Sequence, residues 1–550
     1  MKTVAKGCEK LNNLNMNLSS EDISIGIELG STRIKTIAID KNLNTVATGS
    51  FEWENQFING YWTYSINDIW IGLQKSYEDM TQNLKQQYNL TLTKVNAIGI
   101  SGMMHGYLAF DKNEDLLVPF RTWRNGNTSE AAAILSEKFQ FNIPERWSIA
   151  HIFQGVLDNE RHVRQVEYIT TLAGYVHWYL TGEKVLGIGD ASGMFPIDIN
   201  QKNYRPDLIN VTNQLFQEHG FNKPIEKILP KVSVSGESGG CLTKEGAKLL
   251  DASNKLESGC IMCPPEGDAG TGMVATNTVA TNTGNVSAGT SAFSMVVLSQ
   301  ELKDKYPEID IVTTPNGNEV AMIHTNNCTS DINDWMNLFS EVLKVMGVDF
   351  SSDELYGQIF RSSLNSDDNI GGLLSYNYVS GENITNVEQG YPLFVREPNY
   401  NFNLANFMKM HLYSAFSTLK IGMDMLKKNE SIELEKLIAH GGIFKTKGVA
   451  QQVLSSALDN DITVMNTASE GGAWGIAILS YFTSLETMQT LEQFLNEVVF
   501  VNIEEETLSP VKQEVDHFNN YVEKMKLGLP IERLFSKHLG GKAYARNIKI

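Results

Sequence analysis

In each half of this chain a glycine followed by hydroxyl residues lies between short apolar strands: Gly30-Ser31-Thr32 within Ser24 to Asp40, and Gly289-Thr290-Ser291 within Gly284 to Val297. A glycine in such a turn is expected to take positive φ, and the amides and hydroxyls beside it can converge on an anion. Phosphate fits that geometry. Between the two turns stands Pro265-Glu266-Gly267-Asp268-Ala269-Gly270-Thr271-Gly272, a carboxylate among residues too small to keep a substrate from the backbone. Two phosphate turns with one acid between them point to phosphoryl transfer. The plainer reading of Asp268 is the cap of a helix beginning at Ala269, and the two roles are compatible.

The elements that must position these groups follow from pattern. Ser24 to Asp40 reads as two strands, with a third over Leu43 to Phe51, and Ile69, Leu73, Tyr77 and Met80 mark one face of a helix. Val95 to Ser101 is a compact strand that stops at Gly102. Met103, Met104 and His105 therefore lie just past its carboxyl end, the rim where open α/β sheets bind ligands. Helices are expected from Thr128 to Tyr179, with a glycine stop at Gly182. The second half continues through a polar surface stretch from Ser363 to Pro398, a long helix from Phe402 to Lys428, and a strand from Lys436 to Ala439 running into His440-Gly441-Gly442. Ala468 to Ala477 reads as a glycine-rich start of a helix packed closely on a neighbour, and from Leu485 onward helices and a flexible basic end are expected.

The 550 residues exceed what one hydrophobic core supports, so two domains are the default. Lysine and arginine number 45 against 64 acidic residues, a formal charge of −19, which disfavours a nucleic acid or an anionic membrane as partner. A polyanionic ligand then needs local cations, and Arg33, Lys35, Arg121, Arg124 and Lys445 stand near the turns. The five cysteines, Cys8, Cys241, Cys260, Cys263 and Cys328, are odd in number and sparse, which suits a reducing cytoplasm. Cys260 and Cys263 have redox-pair spacing, yet no second pair completes a zinc site, so they read as packed thiols. Met1 to Asp22 lacks the apolar core of a secretory signal, and no run approaches the roughly 20 apolar residues of a membrane span. Gly-x-x-x-x-Gly-Lys-Ser/Thr is absent, so the phosphate site is not of the Walker type.

Taken in order, the first turn, Gly99-Ile100-Ser101-Gly102-Met103-Met104-His105-Gly106, Asp190-Ala191-Ser192-Gly193, Gly267-Asp268-Ala269-Gly270, Gly289-Thr290-Ser291, Gly441-Gly442 and Glu470-Gly471-Gly472-Ala473 resemble the FGGY carbohydrate kinases, most closely the xylulokinase branch. The resemblance implies an α/β fold of two actin-like ATPase (ribonuclease H-like) domains flanking a central cleft. It divides the chain into a tail (1–23), a sugar-binding domain (24–278) and a nucleotide-binding domain with a helical end (279–550). It makes Asp268 the general base, and it assigns Gly30, Ser31, Thr32 and Lys35, with Gly289, Thr290 and Ser291, to the β- and γ-phosphates of ATP. Gly441, Gly442 and Lys445 fall at the adenosine. Glu28 becomes the Mg2+-linked acid, Met104 and His105 face the sugar, and Trp123 and Asn125 are further sugar-pocket candidates. Lys35 could equally point to solvent by strand alternation, and Glu28 could simply pair with Arg33 or Lys35.

Several positions depart from the family pattern. Glu28 replaces an aspartate, Trp123-Arg124-Asn125-Gly126-Asn127 lacks the carboxylate of Trp-Asn-Asp-Gly-Arg, Gly381-Glu382-Asn383 replaces Gly-Glu-Arg, and Leu412-Tyr413 stands where Glu-Gly is expected. The resulting expectation is an ATP- and Mg2+-dependent cytoplasmic kinase acting on a terminal hydroxyl of a ketose, D-xylulose first. L-ribulose, another ketose, a polyol or gluconate are rival acceptors, and a homodimer is left open. A sugar-binding regulator without turnover and a chaperone-like ATPase are the rivals from other classes. Sugar-dependent ADP release separates them.

Overall fold

Ser24–Leu29, Arg33–Ile39 and Thr45–Glu52 form an antiparallel meander whose first strand also pairs, in parallel, with Ala97–Gly102. The short strands Ile261–Met262 and Glu266–Gly267 add to the far side of Ala97–Gly102. Apolar side chains on both faces of the central strands demand cover on both sides. Helix Ile66–Tyr88 supplies one cover, burying Ile69, Leu73, Tyr77 and Met80 as their spacing predicts. The computed structural model describes residues 18–465, 471–485 and 487–539.

The second half repeats the plan. Thr283–Ala288 and Ala292–Val297 form a hairpin extended, antiparallel, by Glu319–Thr325 and Ile309–Thr313, while Lys436–His440 and Ile462–Met465 continue in parallel beside Thr283–Ala288. Glu505–Leu508 closes that edge. Helices Leu404–Asp424, Val449–Leu458 and Lys512–Leu539 build the core around this sheet. Two meanders, each with parallel strands added beside its first strand, are the doubled ribonuclease H-like architecture that the resemblance implies.

Three expectations change on contact with the structure. Helix Gly471–Ser484, although far along the chain, lies on the first sheet rather than the second: a Cβ at Gly26 would sit 2.1 Å from the Ala473 carbonyl oxygen, and Asn96 donates to Ser484 Oγ at 2.7 Å. The described end of the leading segment is no tail, because Ile23 is buried and its carbonyl accepts from Asn96 N at 2.7 Å; the rest of that segment lies outside the described residues. Ser363 to Pro398 is not a surface stretch, for Leu373–Tyr376 pairs with Leu393–Arg396, and Tyr376, Tyr378 and Glu382 are buried. The helices expected from Leu485 onward include Lys512–Leu539, docked with Phe518, Tyr521 and Met525 inside, while the basic end expected after it lies outside the described residues, as does Glu470. Thr313 N and Oγ1 bond Ser192 Oγ and the Ile188 carbonyl, each at 3.0 Å, joining the lobes. Among the described residues no helix is long and apolar enough to cross a membrane.

Candidate active site

The two turns are closed without left-handed glycine. Gly30 N donates to the Arg33 carbonyl at 3.0 Å and Gly289 N to the Ser291 carbonyl at 2.9 Å, and neither glycine has positive φ, which corrects the expectation. What the turns share is that their carbonyls are engaged from behind. In the first, Trp53 Nε1 donates to the Gly30 carbonyl at 2.7 Å and Tyr64 Oη to that of Ser31 at 2.5 Å. In the second, Cys328 N donates to the Thr290 carbonyl at 2.9 Å, and Thr329 Oγ1 to that of Gly289 at 2.8 Å. With these carbonyls held back, Thr32, Gly289 and Thr290 stay exposed and Ser31 and Ser291 half-exposed, presenting amides and hydroxyls. Such a surface suits phosphate.

Asp268 begins helix Asp268–Ala275, with Gly267 as the preceding cap, so the helix starts one residue earlier than expected. Its Oδ1 accepts from Met104 N at 3.2 Å and Ala269 N at 3.0 Å, and one face remains partly exposed. Burial raises its pKa, against the pull of those two amides. Glu28 lies opposite Lys35 in strand register, so Lys35 shares its face of the sheet instead of pointing away. Burial pushes the Glu28 carboxyl up to about 7, the neighbouring Asp268 charge adds to this, and the Ala473 amide at 3.1 Å and Lys35 oppose it.

Two further acids stand behind Asp268, and sequence reading had given them no role. Asp190 accepts from Thr171 Oγ1 at 2.6 Å and Glu266 from Asp190 N at 3.0 Å, both fully buried and both pushed up to about 8, chiefly by burial. The spacing of Glu266 two residues before Asp268 on a short strand was the available signal. A Cβ at Gly267 would lie 2.1 Å from Met104 Cγ, so only glycine lets Met104 pack this closely beside Asp268.

His105 has φ +68°, in the left-handed region, and stacks on Trp147 at 6.2 Å. Its Nδ1 lies 3.2 Å from the Gly193 carbonyl, which as an acceptor requires Nδ1–H and leaves Nε2 with a free lone pair. Burial, helped by Arg146, lowers its pKa to about 3, so the ring is neutral. Met104 is buried, and its backbone N–H is what reaches Asp268. Trp123 is exposed beside Arg124, whose guanidinium lies 3.9 Å over the Trp62 ring. Asn125 spends its amide on structure: Oδ1 accepts from Trp62 N and Nδ2 donates to the Trp62 and Thr122 carbonyls at 2.8–3.0 Å. That leaves no amide hydrogen for a sugar. Arg146, which sequence reading missed, pairs with Asp310 of the other lobe and adds to the burial that lowers the pKa of both His105 and His324. No local pattern marks it.

Gly441 follows strand Lys436–His440 with φ +126°, where a Cβ would meet the Ala288 carbonyl at 2.0 Å. The chain thus passes directly behind the Gly289–Ser291 turn, and Gly442 and Lys445 are exposed there. Among the described residues no group of three or more His, Cys, Asp or Glu gathers as a metal cage, and the described cysteines are free thiols. The acid pair Glu28 and Asp268 is nonetheless close enough for one charge to raise the other.

Comparison with known proteins gives the family and the fold. The N-terminal domain of the FGGY family of carbohydrate kinases matches residues 23–255, and its C-terminal domain matches 284–484. The chain is 22% identical over 518 residues to a xylulose kinase of Haemophilus influenzae, covering 91% of this chain and 98% of the relative. Among solved structures, a ligand-bound xylulose kinase of Lactobacillus acidophilus superposes with a TM-score of 0.75 at 15% identity, covering 93% of this chain and 99% of that one. A gluconate kinase of the same organism also gives 0.75, at 16% identity and the same coverage. With both family domains matched in order across most of its length, the chain belongs to the FGGY family of carbohydrate kinases and is an ATP-dependent sugar kinase.

Proposed function

We propose that this kinase transfers the γ-phosphate of ATP to a terminal hydroxyl of a ketose in the cytoplasm, with D-xylulose as the first candidate and Asp268 as the general base. One observation carries the reading: a carboxylate whose proton affinity is raised by burial is fixed by the backbone N–H of Met104, next along the chain to a neutral histidine with one acceptor nitrogen free. A sugar hydroxyl donating to His105 Nε2 would be oriented, and a neighbouring hydroxyl could give its proton to Asp268 as the phosphoryl group arrives. The turns at Gly30–Thr32 and Gly289–Ser291 would hold the phosphates from opposite lobes, since phosphoryl transfer depends on alignment and charge stabilisation. Lys35 joins the first turn, and Gly441, Gly442 and Lys445 border the adenosine. Glu28, with Asp268 nearby, fits Mg2+, which takes one or two carboxylates along with water and nucleotide oxygens and supplies charge neutralisation of the phosphates. The xylulose kinase relatives support the ketose.

The test is a panel of ketoses, polyols and gluconate screened for ADP release at saturating ATP and Mg2+. The expected outcome is ADP release that depends on sugar and is fastest with D-xylulose. A faster rate with gluconate or a polyol would replace the ketose, and sugar-independent ATP turnover would replace the kinase mechanism.

A further inference from the structure

Glu382 has no part in the site described above, yet it is fully buried, and the groups that donate to it among the described residues are amides of Asn326 and Asn327. Its Oε2 accepts from Asn326 N at 2.9 Å and Asn327 Nδ2 at 3.1 Å, while Oε1 has no hydrogen-bond partner. A buried acid held only by amides is costly, and such a group calls for a reason. The reason lies one step further along the chain. Asn326 and Asn327 lead straight into Cys328, Thr329 and Ser330, which donate to the carbonyls of Gly289 and Thr290. Asn326 and Asn327 are tied to the same loop a second time, through Nδ2 bonds to the Gly381 and Ser380 carbonyls at 2.8 and 3.2 Å and a bond from Ser380 N to Asn327 Oδ1 at 2.9 Å.

We propose that Glu382 is a positioning residue for the second phosphate turn, fixing Asn326–Ser330 so that the Gly289 and Thr290 carbonyls are drawn back and the turn's amides and hydroxyls face the nucleotide. The carboxyl is pushed up to about 7 by burial, consistent with an acid kept for its acceptor geometry and not for its charge. The proposal rests on the reading of Gly289–Ser291 as a phosphate turn, but the brace itself exists whether or not that reading holds.

Two measurements keep these apart. In steady-state assays with ATP varied at saturating sugar, Glu382→Ala should lower kcat/KM for ATP by about 10²-fold, the scale expected when a catalytic group is displaced by about 1 Å. Sugar affinity, measured by calorimetry without nucleotide, should stay within about twofold, and Glu382→Gln, which keeps one acceptor oxygen, should recover most of the ATP parameter. Amide hydrogen exchange at Gly289, Thr290 and Ser291 should speed up in Glu382→Ala and not in Glu382→Gln. Should Glu382→Ala fail to fold, Thr329→Val removes only the hydroxyl bond to the Gly289 carbonyl and should raise KM for ATP by about fivefold, the worth of one such bond. Unchanged exchange in the turn, or equal losses in sugar and ATP binding, would overturn the brace. Faster exchange with ATP kinetics unaltered would leave the brace standing and reject the turn as a phosphate site.

Discussion

The two hairpins follow one sequence plan and carry different burdens. In the first, Glu28 stands two residues before Gly30 and faces Lys35 across the ladder, with Asp268 near enough to lift its proton affinity. In the second, the position two before Gly289 is Ser287, opposite Phe293, with no charge on either strand. Their supports differ too. Large aromatic side chains, Trp53 and Tyr64 stacked at 4.1 Å, hold the first turn, whereas backbone and hydroxyl donors of Cys328–Ser330 hold the second. The first turn lies beside two acids whose charges interact, and the second is an uncharged hairpin held from behind by Cys328–Ser330, so on the proposed reading the two would divide charge management from placement.

That contrast can be broken at several points. The largest effect is expected at the base: Asp268→Asn should lower kcat by about 10²- to 10⁴-fold while sugar affinity changes little, read by coupled ADP release and calorimetry. Next, Glu28→Gln should raise the Mg2+ concentration for half-maximal rate by about tenfold, whereas Ser287→Ala, its counterpart in the second hairpin, should leave that concentration unmoved. Equal shifts in both variants would erase the proposed asymmetry. Smaller still, Tyr64→Phe removes the bond to the Ser31 carbonyl and should raise KM for ATP by about fivefold, comparable to the loss of one bond behind the other turn.

The smallest effect concerns stability. Asp190 and Glu266 have folded pKa values near 8, above their ordinary 3.8 and 4.5, so their contribution is present when they are protonated and is lost as pH rises toward 8. Buried His105, His151, His177 and His324 act in the opposite direction, but below their ordinary 6.5. From pH 6.5 to 8 the acids dominate, and the melting temperature should fall by about 2–4 °C. Glu266→Gln should flatten that slope, and a melting temperature that rises over the same range would contradict the assignment.

What the sequence disclosed was local. Alternation around Gly30 and Gly289 gives both hairpins, because strand periodicity and a tight turn are written in neighbouring residues. The place of Met104-His105 just past the end of a strand was legible for a related reason, whereas their role and that of Asp268 come from the resemblance and stand as proposals. What escaped depends on distant partners. Helix Gly471–Ser484 crosses to the first sheet because Gly26 leaves room for its backbone, which no window around either segment reveals. Asn125 stands among the sugar-pocket candidates by resemblance, and the engagement of its amide by Trp62 and Thr122 is a contact that no local window reveals. Ser363 to Pro398 looked exposed because its residues are polar, yet Asn377 and Glu382 are buried with amide partners that composition cannot supply.

We propose that two turns from opposite lobes grip one polyphosphate above Asp268. A crystal structure with a non-hydrolysable ATP analogue, Mg2+ and D-xylulose tests it most directly. The account predicts phosphate oxygens bonded both to Ser31 or Thr32 and to Thr290 or Ser291, with a terminal sugar hydroxyl about 3 Å from an Asp268 carboxylate oxygen. A nucleotide touching only one turn, or a sugar bound with Asp268 turned away from every hydroxyl, would contradict it.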